Sequence, residues 1–477
     1  MNRTITLPRA AHGPATRTWL AALAGRHHYE LAVPEGERRR LAAAWLLLGV
    51  AALVGSGLFS VLLVAARAPF LAPLFPAADF FHTALVVHVD LSVLVWFVAF
   101  AGMLWTLAST DRMLDLAWSG LALVALGTAV MAMAPFAGEG RPVMANYVPV
   151  LDEPVFLFGL MLFGLGFAAT SFRALAAPVK VGVELAPVGA LRFGLNAAAV
   201  AAALSIVALA WSWRGVPHEL TGKPYYELLF WGPGHVVQFA WTLLMLVAWL
   251  WLASLSGAPV PLSPRVAVML FAVGLVSVFA TPVIYLAWDV TAIEHQKMFT
   301  WLMRFGGGLA ILPMALAVVA ALVRAGPAAD AASRPLRAAL IASLVLFAAG
   351  GGIGFLIRGS DVRIPAHYHG AIVGITLALM GLGYALLPRL GLGTPNTRLA
   401  TWQPWIYGGG QLLHIIGFVW SGGYGVQRKV AGAAQVLRTP QETAGMALMG
   451  IGGLIAVAGG VLFLLVVFRA IARRARD

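Results

Sequence analysis

His367-Tyr368-His369-Gly370 opens the tenth of twelve long apolar runs in this chain, and its reading decides what the other runs are for. Two residues along an α-helix amount to a turn of about 200°, so His367 and His369 point to nearly opposite sides. One helix can then ligate two different groups, one on each face. Histidines inside a membrane are costly, and their default reading is functional.

The surrounding chain has the composition such a helix needs. Its 477 residues are 61% hydrophobic and 11% charged, which describes an integral membrane protein rather than a soluble domain. There are no cysteines. That excludes disulfides, cysteine-ligated iron–sulfur clusters and thiolate chemistry, and leaves His, Asp, Glu and Met as metal ligands. The net charge of +13 is read as membrane topology and not as affinity for nucleic acid, because the positive residues fall mostly in alternate loops.

Spanning a bilayer takes about 20 residues. The stretches long enough are 41–66, 82–107, 115–135, 152–173, 188–212, 227–254, 264–288, 298–324, 334–356, 366–388, 403–424 and 443–470. The expected fold is therefore an all-α bundle of twelve transmembrane helices. Arg112, Arg173 with Lys180, Arg265, Arg324 with Arg334 and Arg337, Arg389 with Arg398, and the C-terminal Arg469, Arg473, Arg474 and Arg476 fall on the side of the N-terminus. An even helix count puts both termini in the cytoplasm, as expected in a bacterial-type inner membrane. Residues 1–40 read as a basic cytoplasmic tail on anionic lipid, 41–470 as one membrane domain and 471–477 as a second short tail. A dense outer group, Arg358, Arg363, Arg428, Lys429 and Arg438, wants a local reason.

With topology fixed, depth follows. The second stretch starts outside, so His88 lies about 9 Å below the outer surface at 1.5 Å per residue, and His235 in the sixth lies at a similar depth. The seventh ends outside near Asp289, with Glu294 and His295 following. Histidines of the second, sixth and tenth stretches and the group after the seventh thus share one outer slab. His82 reads as interfacial, His218 as a loop residue, His414 as an isolated structural histidine at mid-membrane, and His12, His27 and His28 as tail residues. Neutral imidazole suits haem iron, copper and non-haem iron. His88 and His369 are placed to clamp one haem iron from both sides, and His367 to hold a second haem from one side. His235 and the group after the seventh stretch would face the open position, a design for reducing a small gas.

These residues resemble catalytic subunit I of the haem–copper oxidoreductases, the family of cytochrome c and quinol oxidases and nitric oxide reductases. The likeness spans nearly the whole chain. His367-Tyr-His369-Gly is similar to the family's His-x-His, and Gly383-Tyr-Ala-Leu-Leu-Pro388 to the end of that helix. Leu229-Phe-Trp-Gly-Pro-Gly-His235 resembles the entry to helix 6, and Asn146-Tyr-Val-Pro-Val-Leu-Asp152 the loop after helix 3. Gln427-Arg428-Lys429 stands where the family keeps an Arg pair for haem propionates, which accounts for the outer charge. The resemblance implies a low-spin haem on His88 and His369, a high-spin haem on His367, and His235 as first ligand of a second metal.

The departures carry equal weight. In place of adjacent histidines at the end of helix 7 stand Ala287-Trp288-Asp289, with His295 six residues on. Asp289 and His295 are candidates to join His235, and a carboxylate favours iron over cuprous copper. Phe239 occupies the position four after the helix 6 histidine, where many oxidases carry Tyr and nitric oxide reductases often carry Glu. Tyr285 is the candidate substitute. The expected activity is reduction of O2 to water or of NO to nitrous oxide, with a chemical lean to NO, which needs two electrons rather than four. The cofactors expected are two haems and copper or non-haem iron. Electrons would come from cytochrome c or quinol through a small electron-entry subunit or a quinol site. No string of carboxylates leads from the inner surface, so proton uptake from the outer side with little pumping is expected. The alternative is a non-enzymatic haem protein of the same fold, a gas sensor or assembly factor.

Overall fold

The computed structural model describes residues 25–71, 78–137, 140–182, 184–430 and 435–474. Twelve long helices follow one another: α1 Glu37–Ala65, α2 Phe81–Leu107, α3 Leu114–Phe136, α4 Pro154–Ala176, α5 Pro187–Gly215, α6 Gly222–Leu255, α7 Pro264–Ala287, α8 Ile293–Ala325, α9 Ser333–Gly354, α10 Arg363–Arg389, α11 Thr397–Gly423 and α12 Pro440–Arg474. Among the described residues, eleven are long and apolar enough to cross a membrane. The twelfth, α11, carries Gln403, Gln411, His414 and a run of three glycines, which lower its hydropathy, and it packs between α9, α10 and α12. The twelve-helix reading is met, with boundaries close to those expected.

Local chemistry sets the helix ends. Pro154, Pro187 and Pro264 occupy first turns, where a missing N–H costs nothing. The carboxylate of Glu153 and the side chain of Asn396 accept from the N–H groups of Phe156 and Leu399, satisfying donors that the helix start leaves free.

Burial then ranks the helices. The apolar windows of α6, α10 and α2 are 89%, 83% and 67% buried, against 28% for α1 and α8. The three most interior helices are the three that carry His235, His367 with His369, and His88. A helix apolar on all sides belongs at the centre, so the sequence that makes these helices central also delivers their histidines there.

The expected tail needs correction where it is described. Residues 27–31 are tied to the bundle: His27 pairs with Val260, the Tyr29 hydroxyl donates to the Leu262 carbonyl, and Glu30 meets Arg389 at 2.5 Å. Tyr29 and Leu31 are buried apolar anchors, and α1 begins at Glu37, so Arg38, Arg39 and Arg40 lie in its first turns. Residues 1–24, with His12, and residues 475–477 lie outside the described residues.

Candidate functional site

Four buried or half-buried histidines share one device. His88 Nδ1 lies 3.0 Å from the Ser56 carbonyl oxygen, His235 Nδ1 2.7 Å from that of Trp231, His367 Nδ1 2.7 Å from that of Gly350, and His414 Nδ1 2.9 Å from that of Met449. A carbonyl only accepts, so Nδ1 carries the proton and Nε2 presents its lone pair. A ring nitrogen held by a main-chain carbonyl is the usual support of a metal-ligating imidazole.

On one side of α10, His88, His414 and Arg67 all lie within electrostatic range of His369. His88 also meets the Ser56 hydroxyl at 3.0 Å. Directly after it, residues Asp90–Val95 form a π-helical turn, a distortion that recurs at functional sites. Asp90 is buried there, and neither carboxylate oxygen has a hydrogen-bond partner among the described residues.

On the other side, His367 is oriented through α9. Gly350 packs against the backbone of Gly370 and offers its carbonyl to His367, and a Cβ at Gly354 would stand 3.0 Å from the His367 ring. Small residues at both places let the imidazole lie between the helices.

The second-metal candidates separate. His295 sits in the first turn of α8, fully buried, and neither ring nitrogen has a hydrogen-bond partner among the described residues. Its ring lies 4.8 Å from Tyr285 and 5.0 Å from Phe299, and Phe299 also faces His235 at 6.2 Å. Tyr285 bonds Ser212 at 2.7 Å between hydroxyl oxygens, and its own hydroxyl abuts α6 at Gly232. Asp289 does not join them. The chain turns extended at Trp288, leaving Asp289 exposed in a cavity lined by Trp211, Arg214 and Tyr285. Among the described residues no three His, Asp or Glu come together closely enough to hold a metal ion. The expectation of a carboxylate beside His235 and His295 is thus not met in this arrangement.

Three residues escaped the sequence reading. Tyr147, at φ 69°, reaches in from the loop between strands β1, Arg141–Val143, and β2, Val150–Asp152. Its hydroxyl lies 2.7 Å from His235 Nε2 and donates to it, and Gly234 leaves the room for its ring. The available signal was Gly234 beside His235. His414 stands nine residues before the α11 end at Gly423; counted from that end it shares the depth of His88 and is not isolated, its ring lying 5.0 Å from His369. Arg67 is buried, with its guanidinium 5.3 Å from the Phe418 ring centroid.

The basic group expected on the outer side is anchored near the start of α10. The Val362 N–H donates to the Val426 carbonyl, joining this start to the segment after α11. Arg428 Nε donates to Ser360. Lys429 Nζ donates to the Met144 carbonyl at 2.6 Å and to Asn146 Oδ1 at 3.3 Å, and Asn146 Nδ2 donates to Glu227. Burial, and then Arg428 beside it, pushes the Lys429 ammonium down to about 8. His82 bonds the Lys429 carbonyl, and His218 is exposed.

The residues present fit haem. Among the described residues, His88 and His367 present Nε2 without a partner on two faces of the interior, and basic groups stand near the start of α10. Comparison with known proteins agrees. Residues 40–462 match the family described as Cytochrome C and Quinol oxidase polypeptide I. An uncharacterized protein of Rickettsia prowazekii is 28% identical over 490 residues, covering 89% of this chain and 94% of the relative. An uncharacterized protein of Aquifex aeolicus is 30% identical over 356 residues, covering 73% and 84%. Among solved structures, a heme-copper terminal oxidase dimer superposes with a TM-score of 0.70 at 17% identity, over 92% of this chain and 84% of that one; at this identity the likeness is one of fold.

Proposed function

Because the chain belongs to the cytochrome c and quinol oxidase polypeptide I family, we propose that it is the haem-bearing membrane subunit of a respiratory terminal oxidoreductase that reduces O2 or NO. Membership supports an oxidoreductase with haems and a second metal site; the residue roles are our reading. His88 and His369 would hold a low-spin haem, and His367 a high-spin haem. Arg428 and Lys429, with Arg67, meet the propionates. These groups, when bound, supply one-electron transfer and a position where a gas binds iron. His235 and His295 would be the residues to hold copper or non-haem iron, which would supply a second redox centre, with the Tyr285 ring against His295. Ligation through His235 Nε2 requires the Tyr147 hydroxyl to yield.

Electrons come from cytochrome c or quinol, by way of a separate subunit or a quinol site. O2 takes four electrons and four protons to give two waters; two NO take two electrons and two protons to give nitrous oxide and water. Phe239 stands on α6 where many oxidases carry Tyr, and without that phenol four-electron cleavage of O2 loses more than two-electron coupling of NO. The observation that carries the reading is the carbonyl-to-Nδ1 device that His88 and His367 share on the interior helices, which leaves their Nε2 lone pairs without a partner among the described residues. Haem and metal analysis of the purified protein, followed by anaerobic reduction and addition of NO or O2, tests it. Two haems, a second metal and turnover of one gas are expected; failure to bind haem would sink the reading.

The dispersed carboxylate favours one second reading, a haem-only gas sensor or assembly factor. It predicts two haems, no second metal and no turnover.

A further inference from the structure

We propose that His414 is the positioning residue of the low-spin haem ligand His369, accepting the proton on His369 Nδ1 through its own Nε2. The inference rests on the assignment of His369 as an iron ligand. When an imidazole ligates iron through one nitrogen, its other nitrogen carries a proton that needs an acceptor. For His88 and His367 that acceptor is a main-chain carbonyl. His369 alone of these ligands has no hydrogen bond among the described residues, and its nearest ring is His414, with centroids 5.0 Å apart and planes at 61°. At that separation, ring nitrogens turned toward one another come within hydrogen-bond reach.

The tautomer of His414 is already set for this task. Its Nδ1–H is spent on the Met449 carbonyl at 2.9 Å, so Nε2 is a pure acceptor, complementary to the donor that iron ligation leaves on His369. The room is also built. Gly452 presses on the backbone of His414, and a Cβ at Gly453 would stand 3.1 Å from His414 Nδ1. Phe418, at 4.6 Å from His414 and 6.1 Å from His369, closes the other side. A histidine with no role would be cheaper as leucine on this membrane helix.

An accepted hydrogen bond raises the basicity of the ligand and stabilises ferric over ferrous iron. The test uses the purified full chain with its haems, comparing His414→Leu, His414→Gln and Gly453→Ala by electron paramagnetic resonance and redox titration of the low-spin haem. His414→Leu is expected to keep two axial imidazoles while shifting the equilibrium about tenfold toward the ferrous form, which is 59 mV for one electron. Gln, which keeps an acceptor, restores most of the shift. Gly453→Ala displaces the ring and moves the potential in the same direction as Leu, providing the answer should Leu fail to fold. Unchanged g-values and potentials in all three would overturn the role of His414 while leaving the haem assignment standing. Loss of one axial imidazole in both His414 variants would overturn it differently, by making His414 itself a ligand. Absence of a six-coordinate low-spin haem from the native protein would overturn the haem assignment and this inference together.

Discussion

Replacing Gly350 by alanine tests whether the approach of α9 to α10 orients His367. A Cβ at this position would stand 2.7 Å from the carbonyl carbon of Gly370 and 2.9 Å from its Cα. These are backbone atoms and cannot swing aside, so the helices must part. Overpacking of this kind costs about 1–3 kcal/mol. Parting also draws the Gly350 carbonyl away from His367 Nδ1, now 2.7 Å away. Losing such an orienting partner lowers affinity for the ligated group by about 10–100-fold, or about 1.4–2.8 kcal/mol at 1.4 kcal/mol per tenfold. Gly351, the next residue, is the control, since a Cβ there meets nothing within 4 Å. Relieving a helical glycine gains up to about 1 kcal/mol, so the neighbouring substitutions should differ in sign. The assay is the thermal midpoint of the purified protein together with the rate of haem transfer to apomyoglobin. Gly350→Ala should lower the midpoint and release one haem of two at least tenfold faster, while Gly351→Ala does neither. Equal midpoints and equal release rates in the two variants would refute the orienting role.

Tyr147→Phe removes the 2.7 Å bond to His235 and should keep haem content while changing turnover of the reduced gas by about tenfold or more; turnover unchanged in steady-state gas consumption would make Tyr147 a spacer. Ser56→Ala should perturb the low-spin haem little, by under about 1 kcal/mol, because the Ser56 carbonyl still holds His88 Nδ1; loss of the low-spin optical band would contradict this. Lys429 is held at about 8, below its unfolded value. The unfolded chain therefore holds more protons between about pH 8 and about 10.4, and this group adds stability as pH rises through that window. Over the same window the ammonium is lost from the outer rim, so activity should fall above about pH 8, and Lys429→Arg should move that limb upward in a pH–rate profile. Outer-side proton uptake predicts no acidification of the medium around vesicles turning over with inward-supplied electrons, as followed with an impermeant dye.

Most of the bundle was legible because membrane spans obey one strong rule, an apolar run of fixed length. The exceptions show where that rule thins. In α11, Gln403, Gln411 and His414 dilute the apolar signal, yet polarity buried between neighbouring helices is tolerated, so the helix forms by packing. At the amino end, charge composition alone suggested a lipid-bound tail. Tyr29 and Leu31 are single apolar anchors, too few to register as a pattern, and they pin the segment through contacts about 230 residues away in the chain.

The site divides along the same line. His88, His235, His367 and His369 lie inside helices, where periodicity and depth fix a residue to within a turn. The second-metal group depended on a boundary, the least secure feature of any sequence reading. Moving the start of α8 forward to Ile293 carries His295 from a loop into a first turn and buries it. The extended residue Trp288 sends Asp289 the other way. Tyr147 enters through a left-handed loop residue that no helical pattern foretells. His414 was missed because its depth was not counted from the outer end of α11. What the histidines share is visible only with the carbonyls in view. For His88, His235, His367 and His414 a main-chain oxygen one turn or one helix away fixes the proton on Nδ1, so the backbone, and not the identity of neighbouring side chains, prepares Nε2.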